Sequence, residues 1–480
     1  MNIIGGIAMT SHRMVFPLAA LTLLSLAQPC MASLALQPVS SFDAGLKETA
    51  AIATVDVNGD GKPDVVAIDG MDNKVSVLLG SGTGALGTPH VFTVNGSLHT
   101  ANSLGLGDLN GDGKIDIIVA NEDTGSMSLL LGNGDGTFQT AVNINSGSHA
   151  CDVPYGASRP AKEQTVTVAD LNGDGKLDLL TIPSFPIDAG CFTTDILGLY
   201  LGHGDGTFAG PTYTEYSGSP ANIAIVSDVN GDHVPDIVAT GIGSFVDVYA
   251  GNGNGTFQSP VVSSLGLSIS SPTKLVVADF NGDGKLDVAE GDAINHVATI
   301  LLGNGDDTFG SPQALDLGSD SQSLSIGDLN GDGKPDLLAA NTTLPTSDNS
   351  ALDISFLAGN GDGTFQIRQP ITATLPHTAT EGTVTMAAAT IVDMNNDGVP
   401  DIVDAGNGVN LSSGSTLVSK VNVLLGSGAG SGEGGNSPPP SSSNSTPASS
   451  GGGGGGAMGL ELLIGLLGVS LARHRNYHRQ

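Results

Sequence analysis

With 480 residues the chain is too long for one small core and calls for several domains or one large repeat architecture. Acidic residues outnumber basic ones 48 to 16, for a formal charge of −32; that field repels nucleic-acid phosphates and anionic membrane surfaces and attracts cations. Tryptophan is absent and aromatics make up 4%, which counts against quinone-dehydrogenase and sugar-stacking lectin chemistries, although Tyr155, Tyr213 and Tyr216 remain able to contact a glycan.

In chain order, His12 and Arg13 precede the apolar run MVFPLAALTLLSLA (14–27), and small residues follow around CMAS (30–33). Residues 1–32 therefore read as a secretory signal peptide cleaved after Ala32; lipid attachment at Cys30 is the competing reading, which Pro29 does not favour. Removal of Cys30 leaves Cys151 and Cys191 in an exported chain, an even count that suggests a disulfide rather than two free thiols.

Residues 33–430 are self-similar at a spacing of about fifty to sixty-five residues, the mark of a repeat architecture. Seven acidic nonapeptides recur: DVNGDGKPD (56–64), DLNGDGKID (108–116), DLNGDGKLD (170–178), DVNGDHVPD (228–236), DFNGDGKLD (279–287), DLNGDGKPD (328–336) and DMNNDGVPD (393–401). An alternating segment such as TVTVAD (165–170) leads into each copy, and an apolar run such as DIIVA (116–120) leaves it. A second alternating segment ends in LLG, and five copies continue into a turn of the type GNGDGTF (132–138). Period-two runs bounded by Gly, Asn and Asp clusters are strand and hairpin signals. Four short strands per repeat, seven times, predict an all-β, seven-bladed β-propeller.

The glycine turns resemble a phosphate loop only in spacing, since each runs into phenylalanine and another strand, never a helix. Phe138, Phe208, Phe257, Phe309 and Phe365 are accordingly expected in the blade cores. The seventh copy reaches KVNVLLGSGAG (420–430) without a closing strand, while ALQPVSSFDAG (35–45) looks like the fourth-strand segment FGSPQALDLG (309–318). The N-terminal strand is therefore expected to complete the last blade and remove two open sheet edges.

Beyond the repeats, SPPPSSSNSTPASSGGGGGG lies within a flexible linker, 431–456, and 457–480 is an apolar segment with a basic tail, RHRNYHRQ. The sixteen residues 457–472 span about 24 Å as a helix, short of a hydrocarbon core of about 30 Å, and include Glu461. The order of glycine run, apolar helix and basic end resembles the GlyGly-CTERM sorting signal, which implies cleavage near the glycines and passage to the cell surface or beyond; retention as a transmembrane anchor is the alternative.

Asp, Asn and Asp at positions one, three and five with Asp at nine place four oxygen donors around a tight turn, and the backbone carbonyl of position seven can join them. Hard oxygen donors at this spacing suit Ca²⁺, as in the first half of an EF-hand loop, and suit Mg²⁺ or soft metals less. The expected ligands are Asp56, Asn58, Asp60, Lys62 and Asp64; Asp108, Asn110, Asp112, Lys114 and Asp116; Asp170, Asn172, Asp174, Lys176 and Asp178; Asp228, Asn230, Asp232, Val234 and Asp236; Asp279, Asn281, Asp283, Lys285 and Asp287; Asp328, Asn330, Asp332, Lys334 and Asp336; and Asp393, Asn395, Asp397, Val399 and Asp401, with Lys and Val contributing carbonyls. Up to seven structural Ca²⁺ ions would take the formal charge to about −18. His233 stands where most loops have glycine; its side chain should point outward, and loop four should bind calcium least tightly.

Over residues 35–430 the chain resembles the FG-GAP/VCBS repeat family of integrin-α-like propellers, on the strength of these seven nonapeptides. The resemblance implies structural calcium, with the calcium loops on the face opposite the partner-binding surface. Strand connections alternate between faces, so the long 4–1 and 2–3 connections (145–164, 183–193, 341–351 and 370–382) share the second face, as do Cys151 and Cys191. His90, His99, His149, His203, His233, His296 and His377 are scattered among blades, and no G-x-S-x-G or H-E-x-x-H motif accompanies them. The reading is a monomeric, exported, non-catalytic module that binds a protein or glycan at the bacterial surface. An extracellular enzyme or enzyme-associated module acting on polysaccharide and a purely structural envelope protein are the alternatives; a deep pocket with convergent carboxylates would favour the enzyme.

Overall fold

The computed structural model describes residues 34, 36–94, 103–121, 125–146, 148–149, 159–160, 162–184, 195–216, 221–269, 271–341, 351–374, 381–410 and 417–427. The expected signal peptide, linker and C-terminal segment, and likewise Cys151 and Cys191, lie outside these residues. No helix among the described residues is long and apolar enough to cross a membrane.

The fold is all-β, with seven four-stranded antiparallel sheets arranged as the blades of a propeller. Blade one shows how each is made. Thr49–Val55 runs into the first acidic loop, Asp64–Asp69 returns from it, Lys74–Leu78 follows a short turn, and His90–Thr93 forms the outer edge. Burial follows position in the blade: the second strand, DVVAID, is buried throughout, whereas the fourth, HVFT, alternates half-buried and exposed. The second strand is therefore a continuous apolar run because both of its faces meet neighbouring blades.

The seventh sheet takes its fourth strand from the other end of the chain. Ser40–Asp43 pairs antiparallel with Leu417–Leu424, with Ser40 opposite Val423 and Asp43 opposite Lys420. A further bridge joins Leu36 to Gly426. In the 4–1 connection before blade three, Ser148–His149 pairs with Arg159–Pro160 in a short two-stranded ladder that no periodicity in the sequence announces.

The core is divided into seven apolar clusters, one between each pair of neighbouring blades. Ile52, Val65 and Ala67 of blade one, for example, meet Val403, Ala405 and Val421 of blade seven. The loop residue at position two anchors each acidic loop in one of these clusters: Val57, Leu109, Leu171, Val229, Phe280, Leu329 and Met394 are all buried. Of the five turn phenylalanines only Phe138 is fully buried; Phe208, Phe257, Phe309 and Phe365 are partly buried against the inter-blade clusters. Phe138 and Phe365 make edge-to-face contacts with Phe92 and Phe280, at centroid distances of 5.4 and 5.5 Å.

A few polar groups interrupt this apolar packing. Glu290, on the second strand of blade five, is 0% exposed, and neither carboxyl oxygen has a hydrogen-bond partner. Thr299, directly opposite on the third strand, also leaves its hydroxyl without one. Burial, reinforced by the Asp292 charge, pushes the Glu290 carboxyl well above its usual range. Asp404 holds the corresponding place in blade seven, where burial raises it to about 7 against the opposing effect of an Asn422 hydrogen bond. Lys274 is pushed down to about 7 by burial.

The equivalent position in blade two is Val119. Glu290→Val should therefore stabilise the propeller by about 1–3 kcal/mol at pH 8, the cost of a buried unsatisfied polar group. Because the folded-state carboxyl titrates above its unfolded value, its favourable share of stability is complete below the unfolded pKa and is lost as pH rises towards the folded one. The gap between variant and wild-type melting temperatures should widen from pH 5 to pH 8. Identical melting curves at pH 8 would show that the carboxyl carries no such cost.

Candidate metal loops and the turn face

Each acidic nonapeptide folds into the same tight loop between the first two strands of its blade. In loop one, Asp56 caps its own turn: Oδ1 accepts from the amides of Gly59 (2.7 Å) and Asp60 (3.1 Å), and Oδ2 from Gly61 (2.7 Å). Asn58 Oδ1 accepts from the Asp60 amide at 2.9 Å, and Asp60 Oδ1 from the Lys62 amide at 3.1 Å. Short Asx side chains satisfy the loop's backbone donors in this way while the chain passes through the left-handed region at positions four and six. Glycine fills those positions except at two places, where His233 has φ 66° and Asn396 φ 56°. Both residue types tolerate this region better than most. His233 keeps the backbone bond of its glycine counterparts, donating its amide to Asp228 Oδ2 at 2.8 Å, and its side chain is 96% exposed.

The position-nine aspartate does something the sequence reading missed. Asp64 is completely buried and accepts one bond from the loop, Val57 N to Oδ2 at 3.0 Å, and one from the glycine turn, Gly80 N to Oδ1 at 2.7 Å. The same clamp recurs at Asp116, Asp178, Asp236, Asp287, Asp336 and Asp401, each holding the position-two amide and the first amide of the turn in its blade. The two segments approach so closely that a Cβ on Gly80 would lie 2.0 Å from the Pro63 carbonyl oxygen, and one on Gly132 would lie 2.2 Å from that of Ile115. Only glycine fits at the opening of each turn. The signal was present in the repeated G, but reading it required the partner strand.

Burial raises all seven clamp carboxyls, to about 6 for Asp64, Asp236 and Asp336, in opposition to their backbone hydrogen bonds. The position-one and position-five carboxylates add to the rise at Asp64 through their like charge. Partial relief comes from position seven, where Lys62 pairs with Asp60 at 2.9 Å and Lys114 with Asp112 at 3.1 Å. These pairs are exposed and contribute little.

Each loop thus brings three carboxylates, an amide oxygen and the position-seven carbonyl into nine residues, a donor set whose chemistry fits a hard cation. Among the described residues, no three His, Cys, Asp or Glu side chains stand close enough, as oriented, to hold a metal ion.

The glycine turns lie on the same face as the loops, and the described turns of blades one to six each reach the preceding blade. Gly206 N donates to Leu109 O at 3.0 Å and Gly363 N to Phe280 O at 3.1 Å, while Asn396 Nδ2 reaches Gly61 O at 2.9 Å. A sixth turn, GSGTGAL (80–86), repeats the bridge of the other five, Gly80 to Leu86, with leucine in place of phenylalanine. The opposite face is less regular. Its described 2–3 connections expose Met71, Ile242 and Ile294, and its longest connections lie outside the described residues.

The FG-GAP-like repeat model matches residues 56–119, 108–181 and 228–290, and the FG-GAP repeat model matches 322–351; these stretches contain loops one to six. No curated protein matches the chain. Among solved structures, the BBS1N chain from its mercury-soaked complex with ARL6DN is similar over 81% of this chain and 96% of its own, at 12% identity and a TM-score of 0.50. A Lactobacillus plantarum protein is similar over 68% and 85%, at 12% identity and a TM-score of 0.47. At such identity the first likeness speaks to the fold alone.

Asp116→Ala leaves two buried amides without an acceptor and should cost about 2–5 kcal/mol. Asp112→Ala, at exposed position five, should change stability by less than about 0.5 kcal/mol. Urea denaturation in the presence of a chelator separates the two; equal effects would refute the clamp.

Proposed function

From a seven-bladed β-propeller built of FG-GAP repeats, we propose an exported, calcium-stabilised, non-catalytic binding module of the bacterial cell surface. The observation that carries this reading is the contrast between the two faces. One repeats a single acidic loop seven times with the same hydrogen bonds, and the other varies from blade to blade.

Calcium would be held by the side chains of positions one, three, five and nine and the carbonyl of position seven, after rotamer changes at the exposed positions. It supplies positive charge to a loop face that carries 21 of the 48 acidic residues. Ionised carboxylates that already accept backbone amides retain lone pairs for it. Sevenfold recurrence at hairpin ends suits a structural ion, since a catalytic metal needs an open position beside an acid or base.

The 4–1 and 2–3 connections form the binding face, for a protein or a surface glycan. Exposed Met71, Ile242 and Ile294 give it apolar contact points. Cys151 and Cys191 would brace the connections of blade three as a disulfide.

Bound calcium should raise the melting temperature: each site at a hundredfold excess over its Kd adds about 2.7 kcal/mol. An unchanged melting temperature after chelation, with no calcium found by metal analysis, removes the calcium reading. A glycan and surface-protein panel probed with the immobilised chain tests the second face. Capture that survives Ile242→Asp with Ile294→Asp but is lost on substitution at the loop face would place the binding surface on the wrong side.

A further inference from the structure

Loop four differs from the other six in what stands over it. The fifth position of each glycine turn leans on the acidic loop or third strand of the preceding blade. In blades three and four that position is Gly206 and Gly255, and a Cβ on either would sit 3.6 Å from the Cβ of the position-three asparagine, Asn110 or Asn172. A side chain placed there is aimed at a proposed metal ligand. Among the described turns, that of blade five alone carries such a side chain: it reads GNGDDTF (303–309), and Asp307 holds the left-handed conformation, φ 66°, that glycine adopts in the other described turns.

The Asp307 carboxylate crosses to blade four, where its Oδ1 accepts from Asn230 Nδ2 at 3.1 Å. Asn230 has one amide oxygen and one amide nitrogen, so holding the nitrogen outward directs Oδ1 into loop four, where it accepts from the Asp232 amide at 2.9 Å.

We propose that Asp307 is a positioning residue for calcium in loop four, supplied by the neighbouring blade: it holds the Asn230 amide nitrogen outward and so orients the Asn230 oxygen towards the ion. An ion in loop four would then be served by side chains from two blades. Partners that orient a ligand commonly change metal affinity by about 10–100-fold when removed. The inference rests on the calcium reading above, and the experiment separates the two.

His233 supplies a reporter specific to this loop, because its amide is bound to Asp228 and its Nδ1 lies 3.7 Å from Asp228 Oδ2. The full chain, with ¹³C-labelled histidine, is titrated with Ca²⁺, and the His233 resonance is assigned by its loss in His233→Gln. Asp307→Gly restores the turn sequence that the other blades use and so keeps the fold. Its loop-four Kd should rise about 10–100-fold, with total calcium bound at saturation unchanged. Asp307→Asn, which keeps an acceptor for Asn230, should fall between glycine and wild type. Equal loop-four Kd values in wild type and Asp307→Gly overturn the role of Asp307 while leaving calcium binding intact. Calcium bound without a His233 response overturns it as well. No calcium bound to the wild-type chain overturns the underlying reading.

Discussion

The structure depends on a buried carboxylate that bonds to two pieces of backbone at once. In every blade the ninth residue of the acidic loop holds one amide from the loop and one from the glycine turn, so the two hairpin ends of the blade are locked to each other. Removing such a carboxylate from water is costly and raises its pKa, and the two charge-assisted bonds oppose that rise. The clamp also explains the composition of its surroundings. The backbones approach closely enough to exclude a Cβ, which accounts for the glycine that opens each turn. The loop's second residue must be apolar because the clamp holds it down into the inter-blade cluster.

A rigid, repetitive face follows from seven such clamps, and it frees the other face to vary. Connections that carry no clamp can lengthen without unlocking a blade, and the longest ones in this chain are found there. The blades make contact through small apolar residues, with only a few aromatic pairs. Acidic charge concentrated on the loop face is what a set of divalent cations would balance, so the proposed calcium and the proposed division of labour between faces have the same origin.

Much of this was legible from residues alone, for a physical reason. Period-two runs and Asx-Gly turns are local, and a loop that caps its own amides with its own aspartate needs no distant partner. Recognition of the strands, the seven loops and five of the turns therefore followed directly. The turn at 80–86 escaped because leucine replaces its phenylalanine and threonine its aspartate, although the backbone bridge is the same. The role of the ninth aspartate escaped for a different reason. From sequence it is one more oxygen at metal-ligand spacing, and its second partner, the glycine turn, lies 15 to 25 residues further on.

Local pattern and repetition were enough to set the blade count, the position of each acidic loop and the donor chemistry those loops offer, because each is encoded within a few consecutive residues. Tertiary structure decided which distant groups meet: each ninth aspartate on the glycine turn of its blade, Glu290 buried without a partner, and Asp307 reaching across to Asn230. Those contacts depend on how the sheets twist and stack around the ring. A sequence read one repeat at a time carries no term for the neighbour.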